Sequence, residues 1–145
     1  MKWSTLFIFF FASIFAYSCL AQEGRTSYQS ANQSNHIEVI DFYGTHRCVT
    51  CRAIEASTHY TLDNYFSEQL KNGKVVFKAV NVDEEKNYKM AEAYEATGTA
   101  LFLNIVRGGK ETHIDLTEFA FAKGRDQKAF STQLKAIIEG ELNKF

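Results

Sequence analysis

The chain of 145 residues contains no proline. Proline makes a cis peptide bond accessible at about 0.5–1 kcal/mol, against about 2.5–4 kcal/mol for other residues, so a cis turn has no ready site here. Cysteine is scarce as well. Three are present, fewer than the four ligands a structural zinc site prefers. Neither sign of charge dominates: 16 Lys and Arg face 17 Asp and Glu, and no basic stripe with interleaved aromatics occurs. Nucleic acid is therefore not an expected partner. Long apolar runs are also few. "LFIFFFASIFAY" (6–17) stands out, and it is shorter than the roughly 18–20 residues of a membrane-spanning helix. What remains is ordinary globular composition, 46% hydrophobic and 23% charged, in a length that suits one domain.

The apolar run belongs to a leader. Lys2 supplies a positive start, 6–17 an apolar centre, and "SCLA" (18–21) small residues for cleavage before Gln22, so residues 1–21 read as a secretory signal peptide. The mature domain is then expected outside the cytoplasm, secreted or periplasmic. Cys19 admits a second reading, a lipid-modified N-terminus that anchors the protein to a membrane, although Tyr17 is bulky where such sites carry a small residue. On either reading Cys19 is no free thiol, and the working domain keeps Cys48 and Cys51, an even number suited to an oxidising compartment. Residues 22–35, "QEGRTSYQSANQSN", are polar and aperiodic, a flexible linker ahead of a domain over 36–145.

Within that domain "HIEVIDFYG" (36–44) predicts a strand. A helix is expected from about Cys48, with a kink or a division into two helices near 57–62, ending at Asn72-Gly73. "KVVFKAVNVD" (74–83) is mostly apolar and reads as a central strand buried on both faces. Residues 84–96 predict a helix with Met90, Ala91 and Tyr94 on one side. "TALFLNIV" (99–106) and "KETHIDL" (110–116) predict strands joined by the hairpin signal Arg107-Gly108-Gly109, and Phe130, Leu134, Ile137, Ile138, Leu142 and Phe145 trace a closing helix. The order is β-α-β-α-β-β-α. Two βαβ crossovers and an antiparallel hairpin edge predict an α/β/α sandwich of three layers around a mixed sheet.

The chemistry gathers at "THRCVTCR" (45–52). Cys48 falls where strand gives way to helix, close to unpaired backbone N–H groups and the positive end of the helix dipole, both of which favour thiolate. Cys51 follows one turn later on the same side, within reach of a disulfide. Arg47 and His46 add neighbouring positive charge, so Cys48 is expected to ionise below the free-thiol value of about 8.5 and to attack first, with Cys51 as the resolving thiol.

These segments together resemble the thioredoxin-fold superfamily: "VIDFYGTHRCVTC" (39–51) its entry strand and Cys-x-x-Cys, "VVFKAVNVDE" (75–84) its central strand, "TGTALFLNIVRGGKE" (97–111) its next strand and hairpin. The resemblance implies a thiol–disulfide oxidoreductase with Cys48 and Cys51 as catalytic residues, no cofactor, and protein thiols or disulfides plus a redox partner protein as its partners. It also makes Asp41 the buried acid that assists proton transfer from the second cysteine. Three departures stand out. Arg47 replaces the superfamily's tryptophan, Val49-Thr50 replaces Gly-Pro, and Thr99-Ala100 occupies the place of the substrate-contacting cis-proline. Two other readings of the pair stay open: a metal or iron–sulfur module using the cysteines and His46, and a binding protein in which the disulfide is merely structural. His36, His59 and His113 read as surface or packing residues, and "DEEK" (83–86) as a solvated helix start.

Overall fold

The computed structural model describes residues 34–145. The leader and nearly all of the linker lie outside the described residues. The last linker residue is already tied to the fold, since the Gly108 N–H donates to Asn35 Oδ1 at 3.0 Å.

Among the described residues four strands form one sheet. β1 (His36–Tyr43) lies between β2 (Val75–Asn81), parallel to it, and β3 (Ala100–Arg107), antiparallel to it, and β4 (Lys110–Asp115) pairs antiparallel with β3 at the far edge. One connection is therefore a parallel crossover. The second, from β2 to β3, joins antiparallel strands, in place of the second βαβ unit expected. β2 is likewise an edge strand rather than a central one. Its apolar character has a local cause: Phe77 packs under the His59 ring, with centroids 4.4 Å apart, and Val75 and Val80 enter opposite cores.

Alternation along β1 divides the interior. Ile37 and Val39 face a large core with Ile54 and Leu62 of α1 (Val49–Tyr65) and with Phe130, Leu134 and Ile138 of α5 (Gln127–Leu142). Ile40 and Phe42 face a smaller core with Tyr94 and Phe102, beyond α3 (Tyr88–Ala93). Helices on both faces of a mixed sheet, in strand order β2-β1-β3-β4 with the third strand reversed, make this a thioredoxin-like fold.

The expected kink at 57–62 is absent. α1 runs unbroken to Tyr65, because its inward Thr58 and Thr61 hydroxyls bond the carbonyls of Ile54 and Ser57 at 2.9 and 2.7 Å, so polar residues pack without breaking the helix. The chain divides at Phe66 instead, before the short α2 (Ser67–Lys71). An additional helix, α4 (Thr117–Lys123), lies between the hairpin and α5. The hairpin itself is as expected: Arg107 pairs with Lys110, and Gly108 and Gly109 take φ of 56° and 77°, the left-handed pair a two-residue turn requires.

Candidate functional site

Cys48 is the N-cap of α1. Its backbone is extended, with φ −72° and ψ 167°, and its sulfur accepts the Cys51 N–H at 3.0 Å. A side chain in this position takes up one of the orphan donors of the first turn, and a negative sulfur there gains from that bond and from the helix dipole. No acidic residue occupies the first turn of α1 to compete for the same field. Cys48 and Cys51 form a disulfide with Cα atoms 5.1 Å apart. Their exposures differ sharply: Cys48 is exposed, while Cys51 is 8% exposed. An incoming thiolate therefore meets Cys48 first.

The loop ahead of Cys48 is anchored from β2. The Thr45 N–H donates to Asp83 Oδ2 at 2.6 Å, and Asn81 Nδ2 donates to Thr45 Oγ1 at 3.4 Å. The Thr45 bond holds the Asp83 carboxyl below its usual range. Asp83 thus fixes the cysteine loop instead of merely opening a solvated helix. Sequence reasoning missed it, because a strand-end aspartate carries no sign of which loop it will reach. His46 lies exposed on the same loop.

Asp41 is fully buried. It alternates with Ile37 and Val39, so it points into the layer between β1 and α1, and Cys51, one turn before Ile54, opens the buried stripe of α1 at the same end. One of its oxygens, Oδ2, receives Arg47 Nη2 at 3.3 Å, and the other, Oδ1, is buried without a hydrogen-bond partner. Burial raises the Asp41 carboxyl to about 7; the negative charge of Glu55 pushes in the same direction and Arg47 opposes both. Arg47, next to Cys48 in sequence, makes its side-chain contacts elsewhere. Its guanidinium bridges Asp41 and Glu55, with Nη1 2.6 Å from Glu55 Oε2, and lies over the Tyr43 ring at 4.4 Å. Glu55 is a second residue that sequence reasoning missed.

Thr99 and Ala100 line a polar cleft of about 490 Å³ together with Tyr94, His113, Asp115 and Thr117. His113 stacks on Tyr94 with centroids 4.0 Å apart, a packing role. No cis peptide bond occurs among the described residues. Among the described residues no group of three or more His, Cys, Asp or Glu gathers into a metal-ligating cluster.

No family model matches the chain, and no curated protein matches it. Among solved structures, a thioredoxin from Thermus thermophilus is similar over 70% of this chain and 73% of its own, at 16% identity and a TM-score of 0.47. A Fasciola hepatica thioredoxin is similar over 61% and 76%, at 21% identity and a TM-score of 0.38. A structure described as that of a malarial protein is similar over 61% and 96%, at 16% identity and a TM-score of 0.39.

Proposed function

We propose that this protein is an extracytoplasmic thiol–disulfide oxidoreductase acting on protein disulfides, delivered by the leader over 1–21 and either released or held at a membrane through Cys19. The observation that carries the reading is the asymmetric pair: an exposed Cys48 whose sulfur caps a helix, bonded to a buried Cys51. In the reducing direction the Cys48 thiolate attacks a substrate disulfide, one substrate thiolate leaves and is protonated, and a mixed disulfide joins Cys48 to the substrate. Cys51 then gives its proton to Asp41 Oδ1 and attacks Cys48 Sγ. The second substrate thiolate leaves with a proton, and the protein's dithiol has become a disulfide. A dithiol partner protein restores it, and the reverse sequence oxidises substrate thiols. Thr99 and Ala100 supply the backbone against which the substrate cysteine lies.

A Cys51→Ser variant removes the resolving thiol, so a mixed disulfide with a small disulfide-bonded protein should accumulate at Cys48. Peptide mapping would locate it. An absence of adduct, with Cys48 free in the reduced variant, would show that the disulfide is structural.

A further inference from the structure

Arg47 is anchored from two elements at once. Its guanidinium touches two carboxylates on different elements, Asp41 on β1 at 3.3 Å and Glu55 on α1 at 2.6 Å, and spreads over Tyr43 at 4.4 Å. Both Nη groups are taken by the acids, and its Nε is buried without a partner. Its own carbonyl accepts from Arg52 Nη1 at 2.7 Å, which ties the loop to the first turn of α1. A guanidinium presents several donors in a fixed plane, and here that plane reaches both acids at once.

We infer that Arg47 is a positioning residue for the proton-transfer step: held by Glu55, it closes the Asp41 side of the site and sets the charge of Asp41 when Cys51 must lose its proton. The inference rests on the oxidoreductase reading above and assigns to it a loop-and-helix pair beside the cysteines. Asp41 has two oxygens in different situations, Oδ2 under Arg47 and Oδ1 free. The Arg47 contact favours the anion and leaves Oδ1 as the acceptor for the Cys51 proton. Glu55 acts in the opposite sense on Asp41, by its negative charge and by drawing Arg47 toward itself. Groups facing Asp41 from the other neighbouring elements carry no charge: its register partners are Ala79 on β2 and Leu101 on β3, and α4 brings Ala120 to the same core. The balance is therefore set by Arg47 and Glu55 alone among the described neighbours of Asp41, with Cys51 as the remaining titratable group in that layer.

The two partners predict opposite effects, which a general loosening of the site would not produce. The Asp41 carboxyl carbon is followed through a pH titration by carbon-13 NMR on the reduced protein, in wild type, Arg47→Gln, Glu55→Gln and Arg47→Lys. Arg47→Gln should move the midpoint up by about one pH unit or more, Glu55→Gln should move it down, and Arg47→Lys should return it part of the way to wild type. The pH profile of mixed-disulfide resolution should move with the carboxyl in each case. Midpoints that stay fixed, or that move the same way in the Arg47→Gln and Glu55→Gln variants, overturn the inference. The NMR titration needs no substrate, so a Cys51→Ser variant that traps no mixed disulfide would defeat the oxidoreductase reading while the carboxyl shifts still judge Arg47. If Arg47→Gln does not fold, Glu55→Gln and Arg47→Lys decide the matter, since Glu55 is partly exposed and its amide is nearly isosteric.

Discussion

Asp41 gives the molecule a pH dependence whose sign is fixed by burial. Its carboxyl titrates near 7 in the folded protein, against 3.8 for the ordinary group, chiefly because burial penalises the charge. Between those values the folded state keeps a proton that the unfolded chain has lost. The stability due to this group is therefore fully present below about pH 4 and is lost as pH rises through 7. At about 1.4 kcal/mol per unit over a rise from 3.8 to about 7, the loss comes to about 4 kcal/mol by pH 8. Asp41→Asn removes the titration. Urea unfolding at pH 4, 6 and 8 should show the variant gaining on wild type as pH rises, and parallel curves would contradict the burial argument. At this scale the sequence was legible where one residue's neighbourhood follows from its element, as with Cys48 at a helix start, whereas the burial of Asp41 was legible only through the family resemblance. The contacts of Arg47 were not legible, because whether its side chain turns to a sulfur or to carboxylates six residues back and eight residues on depends on the path of the loop. Adjacency in sequence does not settle that.

At the scale of elements, the close approach of α4 to α1 depends on Gly124. A Cβ there would lie 2.6 Å from the Ala120 carbonyl oxygen and 2.6 Å from Ile54 Cγ1, in the core layer that supports the cysteine helix. Gly124→Ala should cost about 1–3 kcal/mol by overpacking, whereas Gly140→Ala, with nothing within 4 Å, should be neutral or gain about 0.5–1 kcal/mol within α5. Denaturant midpoints of the two variants check this directly, and equal effects would contradict it. The elements that declared themselves were those with strong periodicity or strong turn residues: β1, the Gly108-Gly109 hairpin and the stripe of α5. α3 ends earlier than the pattern suggests because Glu95 takes the left-handed φ of 53° and the Ala96 N–H returns to the Ala91 carbonyl at 2.8 Å. That closure is commonly made by glycine, and without one it leaves no mark in the sequence. The apolar run of β2 suggested a central position, since cover by His59 from a helix cannot be told in advance from cover by a neighbouring strand.

For the whole molecule, the disulfide closes only four residues at one end of the sheet, and neither core depends on it. The loop-entropy contribution of so short a ring is about 2 kcal/mol. Reduction should therefore lower the thermal midpoint while leaving the far-ultraviolet circular dichroism unchanged at 25 °C. Loss of the folded signal on reduction would mark the bond as structural and argue against a redox cycle.

The most direct measurement is competitive alkylation of the fully reduced protein with limiting iodoacetamide across pH 4–10, each cysteine quantified by mass spectrometry. Cys48 should be labelled first, with a rate midpoint at lower pH than that of free cysteine, while Cys51 is protected. Equal labelling of both thiols, or a Cys48 midpoint no lower than that of free cysteine, would contradict it.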